Sequence, residues 1–377
     1  MNISIDSTTS TLNSTAGMVL VGKIFEKFGL SSGTSLDISP RAQQVLTTLA
    51  GLHVQGRTSF AEVAQFHHDP LFHKSLNLPT VFAPETIRLY LEQIVRTAKQ
   101  NTHAFLDQVN LNLLDTVEFT PIRSTYGTYI PVDIDVSPMD NSKTHKEGVS
   151  RTYKGHDGYA PIFSYIGVEG YMLDQELRPG SQHCQKDTPE YLERNLQKLK
   201  ALSFTHPLLF RLDSGNDAFD TLKILMESPH YFLVKRNLRR ESRERWQDLA
   251  LAMGNCTTPR SGKSVYTGVL TAAHPKAVEE SKLPQLDQVF QVTIRTTDHQ
   301  GVPYLVPDVE VDVYWTNLYE NPETIIGLYH DHGTSEQFHS ELKTDMNVER
   351  FPSGKLAVNT LLLHIAMIAF NTLRMIG

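Results

Sequence analysis

The segment 129–136 constrains the fold of this chain more than any other. Its apolar residues Ile130, Val132, Ile134 and Val136 fall on one face, and Asp133 and Asp135 fall on the other. A period of two is the signature of a β-strand. Alternation alone does not separate the two acids, and Asp135 is favoured as a site residue because it lies nearer the strand end. Two further strands follow, at 159–168 and 171–177, joined near Gly167 and Gly170. A helix over 189–202 leads to a short apolar strand, 207–212, that ends at Asp213. A helix over 219–226 and a strand over 231–235 complete the run.

Three strands, helix, strand, helix, strand is the order of a ribonuclease H-like core. After Lys235 that order is interrupted by a charged helix and by strand-like stretches at 264–271 and 289–297. It resumes with 311–318 and a helix that carries Glu336. Before the core, apolar residues at helical spacing predict helices over 17–28, 42–52, 60–66 and 85–97, broken by Gly29, Gly56, Pro70, Pro79 and Pro84. They suggest a small helical domain of the kind that can hold a helix-turn-helix. The predicted class is therefore α/β: a mixed-sheet ribonuclease H-like core with a β-rich insertion, preceded by a small helical domain. Its expected parts are 1–117 (helical), 118–235 (first part of the core), 236–308 (insertion) and 309–377 (second part of the core).

Composition removes several classes of function. A hydrophobic share of 40% with 20% charged residues is that of a globular chain. Cys184 and Cys256 are the only cysteines, too few for a disulfide framework or a Cys-based zinc site, and they suit a reducing cytoplasm. His67, His68, Asp69 and His73 lack a distinctive ligand spacing and read as loop polarity. Residues 1–14 are polar and unlike a signal peptide. The apolar segment 356–376 contains Asn359, Thr360, His364, Asn371, Thr372 and Arg374, which are costly in lipid, so it is expected to be a buried helix. The net charge of −7 gives no general basic field. Nucleic acid would have to meet local patches, such as the basic run that opens with Lys235 and Arg236 beside a core strand. Trp246 and Trp315 could stack on an unpaired base, although core packing is the favoured reading of both.

Tyr329, His332, Glu336 and Lys343 share one seam of the last predicted core helix and its lead-in, with Phe338, Leu342 and Met346 opposite. Thr334 and Gln337 read as a capping box. Glu341 is expected to face solvent. In a ribonuclease H-like sheet, Asp135, Asp213 and Glu336 would converge. Three hard oxygen donors suit Mg²⁺ or Mn²⁺, and two such ions suit in-line phosphoryl displacement. Asp213 also has a plainer reading as a turn residue, and Asp217 and Asp220 read as helix-start residues.

Together these segments resemble the DDE transposases of bacterial insertion sequences, in the branch marked by Tyr, two residues, Arg, three residues, Glu, six residues, Lys. More narrowly, the chain is similar to the insertion-sequence family numbered thirteen-eighty. The likeness rests on His68-Asp-Pro-Leu71, Pro84-Glu-Thr-Ile-Arg-Leu-Tyr90, Val132-Asp-Ile-Asp135, Gly158-Tyr-Ala-Pro161, Glu176-Leu-Arg-Pro-Gly180 and Arg211-Leu-Asp-Ser-Gly215. It continues through Thr316-Asn-Leu318, the Tyr329–Lys343 stripe, Asn359 and Phe370-Asn371. The resemblance implies Asp135, Asp213 and Glu336 as metal ligands for two Mg²⁺ ions, with Tyr329, His332 and Lys343 on the terminal phosphates. It implies nicking at transposon ends, then joining of the 3′-hydroxyl to target DNA. Terminal inverted repeats, target DNA, a homodimer and the bacterial nucleoid are the implied partners and setting. Two alternatives stay open: a metal-dependent nuclease without strand transfer, and a DNA-binding remnant. His332 stands where the family has Arg, so its phosphate contact is expected to be weaker and pH-dependent. The chain also ends at Gly377, where relatives continue, so dimer contacts carried further on would be missing.

Overall fold

The computed structural model describes residues 15–31, 38–238, 241–272 and 286–377, except for the side chains of His332 and Thr334. Among the described residues five α-helices come first, with a 3₁₀ helix (Phe60–Phe66) between the second and third: α1 (Met18–Phe28), α2 (Pro40–His53), α3 (Pro70–Ser75), α4 (Pro84–Thr97) and α5 (Lys99–Leu114). Their ends follow local chemistry. Gly29 closes α1 at φ 91°, and Ser39 accepts from Ala42 N at the start of α2. The Asp69 carboxylate accepts from Leu71 N and Phe72 N to cap α3. His67 and His73 each bond a backbone carbonyl, of Val81 and Phe66 respectively. These two histidines thus tie down a loop.

The core strands are β1 (Thr128–Val136), β2 (Ile162–Ile166), β3 (Tyr171–Glu176), β4 (Leu208–Leu212) and β5 (Tyr231–Lys235), with helices α6 (Thr188–Leu199) and α7 (Phe219–Glu227) on the crossovers. Strands β1, β2 and β3 pair antiparallel in sequence, while β4 is parallel to β1 and β5 is parallel to β4. The spatial order β5-β4-β1-β2-β3 is the ribonuclease H-like arrangement that the element order predicts. The strand predicted over 159–168 is broken at Pro161, and residues Asp157–Tyr159 belong to a separate small ribbon. Helix α8 (Arg243–Met253) and strands β6 (Asn255–Arg260), β7 (Lys263–Ala272), β8 (Leu286–Thr297) and β9 (Pro303–Thr316) follow. Strand β9 pairs with β5, from Tyr314↔Lys235 to Thr316↔Leu233, so the inserted strands extend the core sheet. The boundary expected at residue 308 falls inside β9, a single strand paired with β8 along most of its length.

The chain then stays helical through α9 (Pro322–His330), a 3₁₀ turn (Asp331–Thr334), α10 (Ser335–Ser340) and a π turn (Glu341–Asp345). The last helix, α11 (Leu356–Ile376), is long and apolar enough to cross a membrane, but 78% of its most apolar window is buried inside the protein. Its polar groups have partners there. Asn371 donates to Asn110 Oδ1 and Met172 O at 2.7 and 2.8 Å and accepts from Met172 N at 2.7 Å. The ring nitrogens His364 Nδ1 and His103 Nδ1 meet at 2.8 Å. Buried residues of α1 to α5, α11 and β1 to β4 form one continuous cluster. Thus the helices before residue 117 do not build a core of their own; they pack on the C-terminal helix and the sheet.

His53 in α2 is buried, and neither ring nitrogen has a partner among the described residues. Burial lowers its pKa to about 4. The unfolded chain takes up this proton below about pH 6.5, the folded protein only near 4, so stability is lost as pH falls through that window. His53→Leu is expected to be neutral or stabilising at pH 7. It should also remove about 3 kcal/mol of the acid-induced loss between pH 7 and 4, measured by urea unfolding at both pH values.

Candidate active site

The parallel pairing of β1 and β4 runs through Asp133↔Arg211 and Ile134↔Leu212. Asp135 on β1 and Asp213, the first residue after β4, come next, so the two acids lie side by side at this end of the sheet. Asp133, on the same face but two residues deeper, meets a different fate. Arg211 Nε and Nη2 grip its two carboxylate oxygens at 2.6 and 2.7 Å, and both side chains are 3% exposed. Arg211 Nη1 also donates to Leu328 O at 2.7 Å, which pins α9 to the sheet. Asp133 is thereby committed to the core, and Asp135 is the acid at the mouth.

A cavity of about 610 Å³ opens there, and its lining includes Asp135, Asp213, Glu336, His339, Lys154 and Lys343. Asp135 Oδ1 accepts from Val136 N at 2.7 Å, and Oδ2 lies 3.2 Å from His339 Nε2. The other ring nitrogen of His339 lies 3.1 Å from the Tyr165 hydroxyl. Burial pushes the Tyr165 phenol well above its ordinary pKa, so it keeps its proton. In the tautomer whose Nδ1 accepts from that hydroxyl, His339 Nε2–H points at Asp135. Asn216 Nδ2 donates to Asp213 Oδ1 at 2.6 Å. Glu336 is exposed on α10, while Phe338, Leu342 and Met346 are buried as their spacing predicts.

Lys343 reaches the cavity with Nζ donating to Pro138 O at 3.0 Å. Burial, then Lys154, hold its pKa below the usual lysine value. Tyr329 is not on the cavity lining; its ring packs on Tyr314 with centroids 4.7 Å apart. Burial, then Asp213, raises its pKa, which puts it near the acids all the same. The side chains of His332 and Thr334, and with them the expected capping box, lie outside the described residues.

Residues 1–376 match the family model described as transposase DDE domain, group 1. The chain belongs to this family. No curated protein matches this DDE transposase. Among solved structures it is similar to the piggyBac transposase in a cryo-EM structure of its synaptic complex with hairpin DNA. The TM-score is 0.45, with 10% identity, over 96% of this chain and 72% of that one.

Other expectations for this DDE transposase need correction. Arg236 is engaged within the protein: its side chain is 9% exposed and is paired with Glu241. It also donates to Gln288 Oε1 at 2.7 Å and lies over the Trp315 and Trp246 rings, both of which are core residues. Lys235 is one-third exposed, but Asp312 holds it at 2.6 Å. Arg239 and Arg240 lie outside the described residues. Asp217 does not start a helix; it accepts from Trp315 Nε1 and Asn237 N. Glu341 does not simply face water, because Arg374 pairs with it.

Sequence reasoning passed over His339, although it lies three residues after Glu336 and so on the same side of the helix. Tyr153 and Lys154 were also missed, since they sit in a loop without periodicity. Among the described residues no three His, Cys, Asp or Glu side chains stand together as a finished metal cluster. The donor set still suits a hard cation. Two carboxylates are fixed side by side, and an exposed glutamate on the facing helix would have to turn inward to complete it.

Proposed function

We propose that this transposase nicks DNA at the ends of its element and joins the freed 3′-hydroxyl to target DNA. Asp135, Asp213 and Glu336 would hold Mg²⁺ or Mn²⁺. The observation that carries this is the emergence of Asp135 and Asp213 from neighbouring parallel strands into a cavity they share with Glu336. The ions supply, when bound, activation of the attacking oxygen and stabilisation of the leaving one. The chain's own residues do the rest. The hydrogen bonds to His339 and Asn216 orient the two aspartates, so their outer oxygens keep one direction. Lys343 and Lys154 line the same cavity as those carboxylates and would hold the phosphate there. Burial disfavours the charge on Lys343, and a phosphate beside it would favour that charge.

The sequence motifs support a bacterial insertion sequence as the source, and with it inverted-repeat ends bound by a homodimer through the N-terminal helices. Arg236 has no part in this reading. Duplexes already nicked at the ends, with a free 3′-hydroxyl, test it. In Mg²⁺ the protein is expected to join them to target DNA. A protein that nicks intact ends but never joins pre-nicked ones is a nuclease, and the strand-transfer reading fails.

A further inference from the structure

We propose that Tyr153 is a stacking platform for the base next to the reactive phosphate, and that the cavity beside it receives that nucleotide. The inference deepens the transposase reading and rests on it. Tyr153 belongs to a loop carried by a three-stranded ribbon of Met139–Asp140, Ser150–Arg151 and Asp157–Tyr159. Tyr153 is 68% exposed although it lies beside a polar site. The hydroxyl end, in contrast, is held in: it donates to Val136 O at 3.1 Å, the residue directly after Asp135. The ring is therefore fixed at one edge and open on a face.

The support below is rigid for a steric reason. A Cβ at Gly158 would come within 1.9 Å of Met139 O, and one at Gly180 within 2.2 Å of Ser150 O, so the ribbon packs backbone on backbone. Nothing about those glycines binds a ligand; they keep Tyr153 in place.

Tyr153 stands between two cavities. One is the carboxylate cavity already described, where Lys154 lies. The other, of about 540 Å³, is lined by Arg151, Thr152, Gln182 and His183 among others, and Asp213 is the only carboxylate on its described lining. Tyr153 and Asp213 belong to both. A phosphate at Asp213 would thus have Lys154 on one side and Arg151 on the other, with an aromatic face between them. Arg151 is only loosely engaged, 3.7 Å from Asp157 at an exposed pair. Alternating cation and aromatic is the pattern that binds a nucleotide strand, with phosphates on the charges and a base on the ring. Bases inside a duplex cover one another, so the ring can stack only on one with an open face. Cutting the end of an element creates such a base.

The test uses the full chain and a duplex of the element's own terminal sequence, with 2-aminopurine at the terminal position and no divalent metal. The parent protein should bind and change the probe's fluorescence. Tyr153→Phe keeps the ring but not its bond to Val136 O, and should keep most of the fluorescence change. Tyr153→Leu should lose the fluorescence change and bind about 5- to 100-fold more weakly, with thermal unfolding like that of the parent. The proposal is overturned if Tyr153→Leu reports the base as the parent does, or if Tyr153→Phe loses as much as Tyr153→Leu. Should the parent neither bind nor nick the ends, the transposase reading fails and this inference fails with it.

Discussion

Asp135→Asn and Asp213→Asn are each expected to lower end nicking by roughly 10³-fold or more while barely moving the thermal unfolding midpoint. Both side chains sit at the mouth of the sheet, and Asp135 is 22% exposed. Asparagine keeps an oxygen to accept from Asn216 Nδ2 at position 213, and at position 135 from His339 Nε2, where only the bond from Val136 N is given up. What is lost is one negative charge and one hard anionic donor, the properties a divalent cation needs. Nicking rates and melting curves of the same preparations check this. A variant that melts far below the parent would mean that the acid holds the fold together instead.

Asp133→Ala should show the opposite behaviour. It leaves the Arg211 guanidinium buried without its counter-charge, and a broken buried pair costs about 3–5 kcal/mol. The effect should extend to α9, because the same guanidinium holds Leu328 O. Replacing both partners, as Asp133→Leu with Arg211→Met, should recover most of the loss, since no isolated charge remains. Urea unfolding of the two singles and the double measures this. A double variant no more stable than the worse single would contradict it.

These paired variants mark where sequence reasoning ran out. Alternation put Asp133 and Asp135 on one face, correctly, and the strand order gave the sheet. What separates the acids is Arg211 on β4, and no local pattern reports a partner that only the parallel pairing brings near. The Glu336 helix shows a related limit. Its apolar side was legible from spacing, but uniform helical spacing does not reveal that the chain tightens into a 3₁₀ turn before Glu336 and widens into a π turn before Lys343. Glycine and proline marked the ends of the N-terminal helices well. They could not show that those helices share a core with α11, because that depends on pairs such as Asn110–Asn371, far apart in sequence. In the same way the basic run predicted a phosphate surface, and Arg236 was instead taken up by Glu241 and two tryptophans. Charge along a chain does not show which charges are already satisfied.

The most direct test of the account is Mg²⁺-dependent nicking of an end duplex by the parent protein and by Glu336→Gln, side by side. The account predicts nicks at the element's end that require the metal and disappear in the variant, while both proteins bind the duplex equally in its absence. Nicking that persists in Glu336→Gln, or that does not depend on a divalent ion, would contradict it.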